Sequence, residues 1–338
     1  MKGVRLFDGE MLKMNEILKL IPAYKDYIWG GNRLKSEYNK NSPYRVTAES
    51  WELSCHENGL SYVSGGKYDG MTLEDAINEA KAKGEDWLGT KCGNFEQFPV
   101  LIKLIDANAS LSIQVHPDDS YAKINENGSL GKTEVWYIVE AEPDAELIYG
   151  LAKDVTKEEI KEAILKNELK PYLNSVKVKP GDVFFVRAGL LHAIGKGILI
   201  CEIQQNSDTT YRVYDWGRVG TDGKPRELHI EKALDVLCLS KEEKTDFSPK
   251  LIEQNKDAKD YLIADCEYFK VVKREQLKES EIKTDGMSFL CLTFLKGDGE
   301  IVTEEQKCNY KKGDSFFIPA VKKEYKILGE SQFLVTKV

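Results

Sequence analysis

The sequence predicts a mainly β chain, a duplicated antiparallel sandwich of the jelly-roll kind with a few peripheral helices. Three observations carry this. Short β-prone runs, bounded by Gly, Pro, Asp and Asn, follow one another without a helix between successive pairs. The segment Lys179-Pro180-Gly181-Asp182-Val183-Phe184-Phe185-Val186-Arg187-Ala188 returns 132 residues later as Lys311-Lys312-Gly313-Asp314-Ser315-Phe316-Phe317-Ile318-Pro319-Ala320, each copy a Gly-Asp turn feeding an apolar strand. The 338 residues are 41% hydrophobic, with 16 Tyr, 12 Phe and 5 Trp against 10 Pro, enough for about two buried cores.

Taken in order, residues 1–16 read as an N-terminal extension, since Met14 stands just before the first apolar run, Ile17 to Leu20. Residues 17–240 read as one β domain with helical insertions. In it Trp29-Gly30-Gly31 suits a turn and Glu49 to Ser54 an alternating strand. Thr72 with Asp75 forms an N-terminal capping pair for a helix whose Leu73, Ile77 and Ala80 share a face and which Gly84 stops. Thr156 with Glu159 opens a second helix, fading near Leu169, and a third spans His229 to Leu239. The predicted strands are 100–105, 110–115, 134–140, 147–151, 176–178, 183–186, 198–203 and 210–214. Residues 241–260, polar and charged, suit a domain connection, and 261–338 read as a second β domain.

Composition also excludes partners. The net charge is -8 with Lys and Arg dispersed, so no nucleic-acid footprint is present. No apolar run reaches the roughly 18 residues of a membrane helix, and Met1 to Glu10 lacks a signal-peptide core, so the expected location is the cytoplasm. Seven cysteines without a C-x-x-C pair indicate reduced thiols rather than a thiolate metal site.

Against this background one stretch is dense in chemistry. Residues i and i+2 of a strand share a face, so Ser112, Gln114 and His116 project together, as do Lys132 and Glu134 on the next strand. His192 follows Gly181 by eleven residues; the same offset from Gly313 reaches Glu324, so the second copy lacks the imidazole. One amide oxygen, two imidazoles and a carboxylate form an N/O set that a divalent ion such as Zn²⁺ accepts, although each alone also suits a hydrogen-bonded rim residue. Arg212 offers a fork for phosphate or an oxyanion, or else pairs with Asp208 or Asp215. His56 and His229 read as structural, with His56 also placed to line a cleft.

Together the motifs Gln114-x-His116-Pro117-x-Asp119, Gly131-Lys132-Thr133-Glu134-x-Trp136-Tyr137, Gly189-x-x-His192-Ala193 and Gln205-x-Ser207-Asp208-x-Thr210-Tyr211-Arg212-x-x-Asp215 resemble those of the zinc-dependent, cupin-fold mannose-6-phosphate isomerases in their short bacterial form. The likeness runs from about Leu18 to Arg226. It implies a double-stranded β-helix with a degenerate cupin-like C-terminal domain, and one Zn²⁺ per chain on Gln114, His116, Glu134 and His192. It further implies Arg212 as catalytic arginine, Lys132 and Asp208 beside the reacting carbons, Ser112 at the phosphate, and a small sugar phosphate as the partner. The proton carrier is then either Lys132 or a water on the metal. Arg187 departs from the cupin pattern, which has Pro there; it either assists the phosphate or pairs with Asp182. Two other readings compete: a cupin Fe(II) oxygenase using His116, Glu134 and His192, and a non-catalytic sugar-phosphate-binding cupin. Oligomeric state is left open.

Overall fold

The computed structural model describes residues 17–219, 223–243, 247–321 and 323–338. The expected extension at 1–16 lies outside them. Two sheets form the N-terminal sandwich. One runs in the spatial order Val183–Val186, Glu134–Ala141, Ile198–Gln205, Val100–Ala107, Glu49–Leu53, Ala23–Lys25; the other runs Leu173–Lys177, Glu146–Leu151, His192–Ala193, Ile113–Val115, Tyr211–Tyr214. Every pairing between these strands is antiparallel.

Val100–Ala107 and Ile198–Gln205 are buried along their whole length. Strand alternation explains why. Ile105, Trp136, Ile138, Ile198 and Ile200 point into the sandwich against Leu147 and Tyr149 of the facing sheet. The intervening residues Ile102, Leu104, Val135, Tyr137, Leu199 and Cys201 point outward, against Phe289, Cys291, Phe317 and Leu334 of the C-terminal sheet and Leu73, Ala76 and Ile77 of the helix Leu73–Ala82. The C-terminal half therefore covers an apolar face of the first sandwich. It also has its own core, in which Phe294, Phe316, Phe333, Tyr325 and Ile327 meet.

The repeated Gly-Asp segment forms the same turn twice. Gly181 and Gly313 adopt φ of 97° and 92°, a region open to glycine. The Asp182 carboxylate accepts from the Lys179 backbone N–H at 2.9 Å, and that of Asp314 from Lys311 at 3.0 Å. Register then aligns the two halves. Val186 stands opposite Glu134, and its counterpart Ile318 stands opposite Leu290. Glu324, the counterpart of His192, is exposed and pairs with Lys283 at 2.5 Å. The second copy thus has a leucine and a solvated glutamate where the first has a carboxylate and an imidazole.

The two capping signatures hold: Thr72 accepts from the Asp75 N–H, and Thr156 with Glu159 forms a complete capping box over Lys157–Leu165. The bounds of one expected helix need correction, and two elements were not foreseen. The third helix covers only Ile230–Val236, since Leu237 has already turned to extended geometry. A helix, Asp119–Asn125, follows Pro117 at once, because Asp118 caps the Tyr121 N–H. The supposed connection contains a strand, Lys250–Gln254, exposed throughout and paired with Ala258–Asp265 at the edge of the C-terminal sheet. Among the described residues no helix is long and apolar enough to cross a membrane, and all seven cysteines are free thiols.

The halves are also tied by polar contacts. Leu18–Ile21 pairs with Ser315–Ile318 on one side and Tyr62–Ser64 on the other. Beside it Lys40 Nζ lies 2.6 Å from Glu52 Oε1, both buried, while Ser315 donates to Glu52 Oε2 at 2.8 Å. Lys40→Ala leaves the Glu52 charge buried without a counter-ion, so a loss of about 3–5 kcal/mol is expected, measured as a lower thermal unfolding midpoint.

Candidate active site

The site is assembled from single rungs of the two sheets. In one sheet, His192 stands opposite Gln114, and Gln114 opposite Arg212. In the other, Glu134 stands opposite Gln204, and Trp136 opposite Glu202, which stands opposite Lys103. Sandwich packing brings the rungs face to face. The His116 and His192 rings lie 4.7 Å apart, and Trp136 meets His192 edge-on at 5.3 Å.

His116, Glu134 and His192 are fully buried, and their ligand atoms lie within 4.8 Å of one another. Each imidazole has its Nδ1 2.8 Å from a backbone carbonyl, Thr209 for His116 and Leu190 for His192. A carbonyl only accepts, so Nδ1 carries the proton and the Nε2 lone pair is left for the site. Burial lowers the pKa of both imidazoles, which keeps them neutral. Glu134 Oε1 lies 2.9 Å from His116 Nε2 and 2.5 Å from Lys132 Nζ, yet aligns with no donor among the described residues. Two inward lone pairs and a carboxylate oxygen, ion-paired here with Lys132, suit a divalent cation. Gln114 has its amide nitrogen 3.4 Å from His192 Nε2, and a half-turn of the amide exchanges nitrogen for oxygen there.

Behind the triad is a buried ionic row that the sequence reading missed. The Trp136 indole N–H donates to Glu134 Oε2 at 2.6 Å and to Glu202 Oε2 at 2.8 Å. Burial, then the Glu134 charge, raises the Glu202 pKa; for Glu134, burial is outweighed by the Lys132 ammonium, which lowers it. Lys103 Nζ stands 3.4 Å from Glu202 Oε1 and 3.9 Å from Glu49 Oε2. Burial works against its charge, but the carboxylates of Glu49, Glu202 and Glu134 prevail and raise its pKa. The sequence signal was there: Lys103 and Glu202 put charges on the inward faces of two largely apolar strands.

A cavity of about 180 Å³ opens over this floor, lined by Ser112, Gln114, Lys132, Asp208, Arg212 and Arg226 among others. Arg212 pairs with neither aspartate: its Nη1 donates to the Glu227 carbonyl at 2.9 Å, and its buried Nε has no partner among the described residues. Asp215 is held instead by Arg218 and Arg226. Asp208 meets His56 and Asn58. Arg187 is half-exposed and pairs with Glu242 at 2.9 Å rather than Asp182, which Lys179 holds at 3.1 Å. It is away from the cavity.

Residues 17–130 match the family described as phosphomannose isomerase type I, catalytic domain, and residues 258–338 match mannose-6-phosphate isomerase, cupin domain. Mannose-6-phosphate isomerase ManA of Bacillus subtilis is 40% identical over 317 residues, 93% of this chain and 96% of that protein. The chain belongs to the mannose-6-phosphate isomerase family. Mannose-6-phosphate isomerase of Streptococcus mutans is 37% identical, over 96% of this chain and 98% of its own. The crystal structure of the Bacillus subtilis mannose 6-phosphate isomerase superposes with a TM-score of 0.87 at 37% identity, covering 96% of this chain and all (100%) of that one. The cupin fold is therefore that of the mannose-6-phosphate isomerase family, and the candidate metal-binding triad sits in its first sandwich.

Proposed function

We propose that this protein interconverts mannose 6-phosphate and fructose 6-phosphate, moving a proton between adjacent carbons of the open-chain sugar through a cis-enediol. The observation that carries the reading is the pre-set triad of His116, Glu134 and His192, whose neighbours Gln114 and Lys132 line a cavity walled by Arg212. Neutral imidazoles with a carboxylate favour Zn²⁺, and Gln114 completes the donor set once its amide oxygen turns inward. Bound there, Zn²⁺ supplies Lewis acidity toward the sugar oxygens.

The remaining work falls to side chains. Arg212, with an unpaired buried Nε, donates to the oxygen on which enediolate charge gathers. Lys132 stands among the donor atoms, 3.3 Å from His116 Nε2, and serves as proton carrier at the reacting carbons. Glu202, which burial makes readier to hold a proton, backs it as a second acid-base group in the same cavity. Ser112 and Arg226 take the phosphate, since they line the cavity and Arg226 with Arg218 outweighs the single charge of Asp215. Asp208 accepts from sugar hydroxyls.

A coupled assay on mannose 6-phosphate tests this. Turnover is expected with the zinc-loaded protein, its loss when a chelator removes the metal, and its return on adding Zn²⁺. Undiminished activity of protein shown to be metal-free sinks the metal assignment. No turnover by zinc-loaded protein sinks the isomerase reading.

A further inference from the structure

We infer that His56 and Asn58 form a clamp that sets the plane of the Asp208 carboxylate toward sugar hydroxyls, making His56 a positioning residue of the site. The inference rests on the sugar-phosphate reading above. It starts from a two-strand hairpin, Cys55–His56 against Gly59–Leu60, whose tip carries Glu57 and Asn58. That hairpin is pinned on Trp51. The His56 ring meets the indole edge-on at 5.8 Å and 84°, and a Cβ at Gly59 would come within 2.8 Å of the indole. Trp51 is itself fixed by its N–H donating to Glu49 Oε2 at 2.7 Å.

The tautomer of His56 follows from its neighbours. Its Nδ1 accepts the Asn58 backbone N–H at 3.1 Å, so the ring proton resides on Nε2. That nitrogen faces Asp208 Oδ1 at 3.4 Å, and Asn58 Nδ2 donates to Oδ2 at 2.5 Å. An ionised carboxylate has about four acceptor positions, two on each oxygen. The clamp takes one on each. One remains on each oxygen, a pair spaced to accept two adjacent hydroxyls of a sugar. Asp208 borders the cavity that holds Arg212 and Lys132 on one side, and a second cavity of about 500 Å³ on the other. His56 lies only in the wall of the second. It therefore acts through Asp208 rather than on the sugar. Its hydrogen bond, against the opposing effect of burial, holds the Asp208 carboxyl well below the usual range, so the acceptor pair is maintained.

The test combines a double-mutant cycle with a binding titration on the zinc-loaded full chain. His56→Ala is expected to raise KM for mannose 6-phosphate about tenfold with kcat within about twofold, as for loss of binding shared by ground and transition states. His56→Gln, which keeps an N–H donor, is expected to recover most of this. Added to Asp208→Asn, His56→Ala should have almost no further effect, the signature of action through a shared partner. Independent, multiplying effects overturn the clamp. So does a KM of His56→Ala equal to that of the unaltered protein. Calorimetric titration with mannose 6-phosphate reads the clamp apart from turnover. Binding by the unaltered protein without turnover overturns the isomerase reading, and the His56→Ala Kd then still decides the clamp. No binding by the unaltered protein overturns both.

Discussion

Glu134→Ala is expected to empty the metal site and lower turnover of mannose 6-phosphate by at least about a thousandfold. The carboxylate contributes the single negative charge among the three donors, and its Oε1 is the atom that lies nearest both Lys132 and His116. Its loss also exposes a second weakness. Lys132 is only 4% exposed, and without Glu134 its ammonium is left beside two imidazoles and no anion within salt-bridge reach among the described residues. Removing one partner of a buried pair costs about 3–5 kcal/mol, so this variant should also unfold at lower temperature. Glu134→Gln separates the two effects. It keeps the volume and an oxygen to accept from the Trp136 N–H, whereas it loses the charge. It should lose metal and activity with a smaller drop in unfolding midpoint. Metal content by mass spectrometry, the coupled assay and thermal unfolding measure the three quantities; a Glu134→Ala protein that retains one metal per chain contradicts the assignment.

How far the sequence shows this site depends on the range of the contact involved. The same-face pairs Gln114 with His116 and Lys132 with Glu134 follow from the two-residue period of a strand. The structure brings both pairs together, with Glu134 Oε1 2.9 Å from His116 Nε2 and Gln114 and Lys132 lining one cavity. The twin Gly-Asp turns were visible because a turn needs its glycine and its aspartate within three residues. What escaped is cross-strand or out of rhythm. That His192, Gln114 and Arg212 share one rung is a matter of register between strands distant in sequence. Lys103 and Glu202 escaped because they pair across strands, Lys103 with Glu202 and Glu49, and Glu202 also with Trp136 on a third strand. The Asp118-capped helix escaped because only Ala122 of Asp119–Asn125 is buried, leaving no apolar period to detect. Lys250–Gln254 escaped for a related reason: an edge strand exposed on both faces has the composition of a linker.

Arg212→Ala is the companion test of chemistry without the metal. Among the described residues the guanidinium has no carboxylate partner; its Nη1 donates to the Glu227 carbonyl, while the Arg212 backbone N–H donates to His229 Nδ1. Burial, then the nearby Arg226 charge, lowers its pKa, so the fold holds this cation at a cost rather than gaining from it. Truncation should therefore leave zinc content unchanged and the unfolding midpoint equal or higher. Turnover should fall by about a hundred- to a thousandfold, the usual loss when one pre-aligned donor to a developing oxyanion is removed. The fall should appear in kcat, since a charge that exists only in the enediolate is met only in the transition state. Arg212→Lys keeps a charge but not the planar fork, and it should recover only part of the loss. An Arg212→Ala protein that binds zinc, folds and keeps kcat within about twofold would assign the oxyanion to another donor in the cavity, with Lys132 the nearest cation to the triad.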